Sequence, residues 1–465
     1  MNAPFFGTAA ALLLALAIAP RARAEIQHVI AISVDGLRGD FLRTFLETAP
    51  PEFPNFVRLR DTSACTFSAR CDFNYSLTIP DHLCMVTGRP VQAPEGLPSN
   101  IPHGITSNGP GPAETAHNSG LNAGVYKASI FDVAHDRGLS TALYLTKDRL
   151  AICGRSWDAT NGAMDVTGID NGRDKVDYFQ LIEGLDDPSA TAQQTDHFVA
   201  SITEGTLRNF TFFHIVEPDY AGHYASGWVS TPGSTYWNSV RVVDGFLGRI
   251  FDALASNPSL AQRVAVLLTS DHGGGGTLNN HLEAHKPENY TVPFFLNAPG
   301  VPAGSDVYAL FENRVDPGTT RPPDVNAVQP MRNGDIANVS AALLGLPSVP
   351  GSFFKPELRQ PLTIARTDTM ITAAWPVYLT GYTLEQADDL TVGRWQSVDA
   401  SAITDAAGER SHTFTYPPPD RRFFRLRPPE HPPAVAPLRR VTKLYGTKRK
   451  KLPLRSSPHR KPHRL

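Results

Sequence analysis

Apolar residues in this chain come in short solid blocks separated by amphipathic stretches. The first block after residue 25 is HVIAISVD (28–35), a β-rich run that ends in an acid. TALYLT (141–146), FTFFHIVE (210–217), VAVLLTSD (264–271) and TVPFFLNA (291–298) have the same form. Runs of this length, apolar at successive rather than alternate positions, predict strands buried on both faces. Between them, STYWNSVRVVDGFLGRIFDALAS (234–256) spaces its apolar residues three and four apart, which predicts a helix with one face on a core. Alternating strands and helices predict an α/β fold, a mainly parallel sheet between helices. Such sheets bind ligands beyond the carboxyl ends of their strands. Three of the predicted strands end in Asp35, Asp271 and the Glu217-Pro218-Asp219 turn, so a site is expected at that edge.

The helical stretch DIANVSAALLGL (335–346) closes the core domain near residue 350. Residues 370–428, with PVYLTGYTLE, GRWQSV and RRFFRLR, read as short strands broken by turns and predict a small C-terminal all-β module. From 429 to 465, proline and basic residues dominate and few large apolar side chains remain to pack, which predicts a disordered basic tail. The chain shows no internal repeat.

Composition narrows the class. A 465-residue chain that is 41% hydrophobic and 19% charged is globular and core-forming. Its net charge of -2 conceals an asymmetry, because residues 421–465 hold fifteen Lys/Arg and one acid, Glu430. The body is therefore acidic. A basic tail suits an anionic surface, but a solvated extension accounts for it more simply. No specific nucleic-acid partner is expected, and association with the cell surface through the module or tail is held as an expectation. At the start, AALLLALAIA is followed by Ala22-Arg23-Ala24, a small-x-small cleavage site before Glu25. The run is too short for a comfortable membrane span. Residues 1–24 are thus expected to be a signal peptide, and the protein to be exported, periplasmic or extracellular. An uncleaved anchor is the alternative, since no Lys or Arg precedes the run. Cys65, Cys71 and Cys84 lie close together and Cys153 is remote. None has zinc-finger spacing, and in an oxidising compartment a local bridge among the first three is expected.

Candidate chemistry is concentrated in four segments. They are SVDGLRGD with Asp35, NYSLTIPDHLCMVTGRP with Thr78, EPDYAGH with Asp219 and His223, and SDHGGGG with Asp271 and His272. The last is followed by NNHLEAH, with His281 and His285. Aspartate and histidine suit zinc or a similar divalent cation, and two such ions can stabilise the attacking and leaving oxygens of a phosphoryl transfer. Singly, each residue has an ordinary explanation. An Asp at a strand end caps a helix or makes a turn, and a Thr ahead of a helical pattern is commonly its N-cap. A hydroxyl there also faces the positive helix terminus, which favours an alkoxide and an incoming phosphate. Spacing does not choose between these for Thr78; the ensemble is what points to chemistry.

The order VDGLR, T-x-P-D-H with a following TG, HGITSN, EPDxxGH and SDHGG resembles the alkaline phosphatase superfamily, and within it the type I phosphodiesterase/nucleotide pyrophosphatase family. The similarity covers about residues 26–350. It implies an alkaline-phosphatase-like catalytic domain over 25–350, with Thr78 as nucleophile and a phosphothreonine intermediate. It also implies two divalent ions, zinc by preference. One would be held by Asp35, Thr78, Asp271 and His272, the other by Asp219, His223 and His281, with His285 as the alternative to His281. Asn108, in HGITSN, matches an asparagine that contacts a phosphate oxygen. Thr78-Ile79-Pro80-Asp81-His82 lacks the convertible residue and arginine of sulfatases, and the serine of the phosphoglycerate mutase branch is absent. The implied activity is hydrolysis of phosphodiester or pyrophosphate bonds in small-molecule phosphate esters.

Two alternatives stand beside it. Lys147-Asp148-Arg149 resembles the K-x-R pair of threonine-type alkaline phosphatases, where Lys147 and Arg149 would bind a phosphomonoester dianion. An exposed charged loop explains the same residues. A catalytically silent surface-binding protein on this fold would lack a metal ligand, and none is missing. Tyr220, Tyr224 and Trp228 flank the EPD segment, where they either stack a nucleobase or pack.

Overall fold

In a computed structural model of the chain, the described residues are 25–165, 172–182, 189–224, 227–276, 279–325, 328–367, 369–390, 394–406, 408–415 and 422–429. The expected signal peptide and all but the first residue of the expected tail fall outside them. Eight strands make one sheet: β1 (His28–Val34), β2 (Ala64–Arg70), β3 (Thr141–Leu145), β4 (Tyr178–Leu181), β5 (Phe210–Ile215), β6 (Val264–Thr269), β7 (Thr291–Asn297) and β8 (Ser305–Asp306). Their spatial order is β4-β3-β5-β1-β6-β7-β2-β8. The run from β4 to β6 is parallel throughout, and β7 is antiparallel to both β6 and β2. All five strands expected from the apolar blocks are present. β2, β4 and β8 carried no such signal, because they lie towards the sheet's margins and bury fewer of their side chains.

The central strands are apolar at every position because each face of the sheet covers a separate core. Val29 and Ala31 of β1 join Leu143, Phe212 and Leu267 on the face covered by the helix Ile336–Leu343. Ile30, Ile32 and Val34 point the other way, against Val240, Val243, Leu247 and Ile250 of the helix Thr235–Ala255. Burying each such side chain contributes about 1.5–3 kcal/mol before entropy is subtracted. That helix starts where Ser234 accepts a hydrogen bond from the Trp237 amide.

The β module begins earlier than expected, with β9 (Thr363–Arg366) rather than at 370. β9, β10 (Met370–Pro376), β13 (Thr404–Ala406) and β14 (Glu409–Thr415) form one antiparallel sheet. β11 (Thr383–Ala387), β12 (Gln396–Ser397) and β15 (Phe423–Arg427) form another. Its buried face shares the main core: Trp375, Tyr378, Leu379 and Phe414 belong to the same apolar cluster as Val339 and Leu343.

The expected local disulfide is not formed, and all four cysteines are free. The Cys71 thiol lies 3.2 Å from the Tyr75 carbonyl and the Cys84 thiol 3.5 Å from His103 Nε2, while Cys65 packs against the core beneath the Thr235–Ala255 helix. Cys65 lies on β2, while Cys71, just after it, and Cys84, in the helix Thr78–Thr87, both approach Asp72 as free thiols. No helix among the described residues is long and apolar enough to cross a membrane.

Candidate active site

Four adjacent parallel strands, β3, β5, β1 and β6, deliver Lys147, Asp219, Asp35 and Asp271 in that spatial order to one edge of the sheet. Asp219 arrives on the helix Glu217–Tyr224, which starts directly after β5 where a turn was expected. The backbone knits these ends together. The Asp35 amide donates to the Ile215 carbonyl (2.8 Å), the Asp219 amide to the Asp35 carbonyl (3.0 Å), and the Gly36 amide to Asp271 Oδ1 (3.0 Å). Gly36 has φ +71°, and a Cβ there would sit 2.8 Å from Asp219 Cα. Only glycine satisfies both conditions. Gly36→Ala is therefore expected to displace Asp219 and lower turnover about 100-fold in steady-state assays, since small misplacements of reacting groups have effects of that size.

Thr78 opens the buried helix Thr78–Thr87. It is not the N-cap, which is Leu77 and offers no side-chain bond. Asp81 does the anchoring instead, its carboxylate accepting from the Leu77 and Asp72 amides, each at 2.9 Å. The Thr78 hydroxyl is thereby spared for the pocket, 3.4 Å from His272 Nε2 and 3.4 Å from Lys147 Nζ. Asn108 joins the same helix terminus, its Oδ1 accepting from the Ile79 amide at 2.8 Å. A cavity of about 310 Å³ opens over Thr78 and is lined by Asn108, Lys147, Arg149, Asp219, His223, His281 and Leu282.

His272 Nδ1 donates to the Gly273 carbonyl (2.8 Å) and His281 Nδ1 to the Ser76 carbonyl (2.6 Å), so each ring presents an Nε2 lone pair inward. Burial, with His281 beside it, holds His272 well below the usual histidine range, and burial lowers His281 too. Both rings are neutral, as ligands must be. Between His281 and His285 the structure discriminates: His281 Nε2 is 3.0 Å from His223 Nε2, whereas the His285 side chain is 71% exposed and 4.0 Å from Glu283.

Asp35 Oδ1, Asp219 Oδ1 and Asp271 Oδ2 are buried and receive no hydrogen bond. They lie 3.6 Å from His272 Nε2, 3.3 Å from His223 Nε2 and 3.1 Å from His272 Nε2 respectively. Buried acceptors in native proteins are nearly always satisfied, so oxygens orphaned beside imidazole lone pairs fit divalent cations. Two sets of donors converge, Asp35 with Asp271 and His272, and Asp219 with His272 and His281, so His272 borders both. Burial alone would raise Asp35 and Asp219. The Lys147 ammonium reverses this, with help from His214 at Asp35, and holds both well below the usual carboxylate range. Asp271 is driven well above it by burial and by the charge of Asp35.

Two buried histidines behind the site escaped sequence reasoning. His214 of β5 donates from Nε2 to Asp35 Oδ2 (3.1 Å) and takes the Thr146 hydroxyl at Nδ1 (2.9 Å). His82 donates from Nδ1 to the Thr78 carbonyl (2.7 Å) and accepts the Ser33 hydroxyl at Nε2 (2.9 Å), and burial pushes its pKa down to about 3. Their signal was a polar residue inside an otherwise apolar strand: Ser33 sits opposite both His214 and Thr269 in the sheet. Trp228 belongs to packing, its indole donating to the Gly36 carbonyl (3.0 Å) while the ring lies against Gly222 and Gly274. Tyr220 is half-buried, and the Tyr224 side chain lies outside the described residues.

The sequence profile of the family described as type I phosphodiesterase / nucleotide pyrophosphatase matches residues 29–292. No curated protein matches the chain. Among solved structures, murine ectonucleotide pyrophosphatase/phosphodiesterase 5 is 15% identical, with 70% of this chain and 96% of that one covered and a TM-score of 0.46. The lipoteichoic acid synthase LtaP from Listeria monocytogenes is 13% identical, with 77% and 86% covered and a TM-score of 0.46.

Proposed function

This chain belongs to the type I phosphodiesterase/nucleotide pyrophosphatase family and is a phosphoric ester hydrolase; we propose that it cleaves phosphodiester or pyrophosphate bonds of small molecules through Thr78, with two divalent ions, zinc by their donor set. The observation that carries this reading is the trio of buried, unpartnered carboxylate oxygens of Asp35, Asp219 and Asp271 around the Thr78 hydroxyl. Asp35, Asp271 and His272, with Thr78 itself, would hold one ion. Asp219, His223 and His281 would hold the other. When bound, the ions supply charge stabilisation for the attacking and leaving oxygens.

The chain's own groups do the rest. Thr78 Oγ attacks phosphorus, the bond to the leaving oxygen breaks, and a phosphothreonine forms. Water then attacks the same phosphorus and Thr78 Oγ departs with a proton. The helix terminus at Thr78 points its positive end at the phosphoryl group. Asn108 and Arg149 line the cavity where the non-bridging oxygens would lie.

The charge inventory favours a diester. Lys147 already faces two carboxylates, at 2.7 Å and 2.6 Å. Arg149 has no carboxylate partner among the described residues and leaves one cation for one phosphate charge. A second reading, phosphomonoester hydrolysis, is favoured by Lys147 and Arg149 both lining the pocket. Rates with p-nitrophenyl phosphate, its bis-ester and the phenylphosphonate analogue separate the two. The diester and phosphonate are expected to react about tenfold faster or more, a 1.4 kcal/mol preference, and Arg149→Ala to raise KM for both. A strong preference for the monoester overturns the first reading.

A further inference from the structure

Lys147 stands two residues beyond β3 and is fully buried. Its ammonium is 2.7 Å from Asp35 Oδ2, 2.6 Å from Asp219 Oδ2 and 3.4 Å from Thr78 Oγ1. The second oxygen of each carboxylate, Oδ1, receives no hydrogen bond and faces a histidine instead, His272 for Asp35 and His223 for Asp219. Each carboxylate is therefore divided in the same way. One oxygen goes to the lysine, the other to the histidines of one candidate ion set, and a different set in each case. The ammonium bridges the acids of the two candidate ion sites from within the cavity, beside the Thr78 hydroxyl.

The Asp35 and Asp219 carboxylates, gathered in a buried pocket, repel each other strongly, because water is excluded and the local dielectric is low. Something positive has to hold them before any ion arrives. We propose that Lys147 is the internal counter-cation of the metal-free site: it keeps Asp35 and Asp219 in ligating positions, and its charge opposes ion binding and so lowers the site's affinity. This rests on the metal assignment made above. It is a positioning role, distinct from contact with substrate.

The two halves of the role are one quantity. Whatever Lys147 contributes to the metal-free form relative to the loaded form, it must subtract from ion binding, because the couplings in a closed cycle are reciprocal. Arg149, on the same loop and in the same pocket, has no carboxylate partner among the described residues and serves as an internal comparison.

The test compares wild type, Lys147→Met, Lys147→Arg and Arg149→Met. Zinc affinity is measured by competition with a chromophoric chelator, and thermal unfolding is followed with zinc and after its removal. Lys147→Met is expected to bind zinc on the order of tenfold more tightly and to lose more thermal stability than wild type when zinc is stripped. Lys147→Arg keeps the charge, and it and Arg149→Met are expected to match wild type. Unchanged or weaker zinc binding by Lys147→Met overturns the proposal. If that variant can be purified only with zinc present, the competition is run on the loaded protein, where slower surrender of zinc supports the proposal and faster surrender sinks it. A wild-type protein that binds no divalent ion at all removes the metal assignment itself, a different result from normal binding that is insensitive to Lys147.

Discussion

Thr78→Ala is expected to leave a folded protein that still takes up divalent ions but turns over about 10,000-fold more slowly, the scale of losing a covalent nucleophile. The expectation of intact folding follows from the local structure. Thr78 is the first residue of its helix, and the terminus is secured by Asp81 at the Leu77 and Asp72 amides, not by the threonine hydroxyl. The hydroxyl's neighbours are Lys147 and His272, both polar groups of the pocket, so removing it creates no apolar cavity. Alanine is also the best helix former. What disappears is the oxygen that would bond to phosphorus. Initial rates with the preferred substrate, metal analysis and circular dichroism together make the test. Turnover within tenfold of wild type would remove Thr78 from the mechanism while leaving the family membership untouched.

Exhaustive chelation is expected to lower turnover at least about 1,000-fold, equivalent to roughly 4 kcal/mol of transition-state stabilisation, with recovery on adding zinc. The physical ground is the accounting of buried oxygens. Asp35 Oδ1 and Asp271 Oδ2 are buried without a hydrogen-bond donor among the described residues, and the neighbouring His272 and His281 are tied through Nδ1 to carbonyls, so that their Nε2 lone pairs face the carboxylates. Cations resolve that arrangement, and without them the site holds the geometry but lacks the charge to stabilise a developing alkoxide. Asp219→Asn is the companion experiment. It is nearly isosteric, and it is expected to reduce bound zinc from two ions per chain to one and to depress turnover to a similar degree. Full activity in a protein shown by atomic absorption to be free of divalent ions would defeat the assignment.

Much of the site was legible because its chemistry is written in local segments. Asp35, Asp219 and Asp271 follow strands whose solid apolar runs identify them as buried, and three acids at one edge of the sheet are hard to explain as caps or turns alone. The cap reading of Thr78 could not be dismissed from spacing. It needed the observation that Asp81, three residues on, performs the anchoring. The choice between His281 and His285 was likewise open, since both lie in one polar loop, and only the fold shows that His281 is the buried one. The cysteines misled for a related reason. Closeness in sequence suggested a bridge, but Cys65 lies on β2, Cys71 just after it and Cys84 in the helix Thr78–Thr87, and all three are free.

By itself, the amino-acid pattern determined the class of fold, the family and the candidate residues proposed to meet phosphorus and metal. These depend on periodicity and on short motifs, which each segment carries without reference to the rest. Only the tertiary structure decided the order β3-β5-β1-β6, and with it the neighbours across the sheet. That order brings the Lys147 ammonium within reach of both Asp219 and Asp35 and backs Asp35 with His214, while helix packing sets His82 behind Thr78 and merges the β module into the main core. Strand order is a property of how crossovers and helical layers pack together, and no single segment encodes it. Thr78 could therefore be picked out from the chain as the candidate nucleophile, while the charge balance around it could be seen only in the fold.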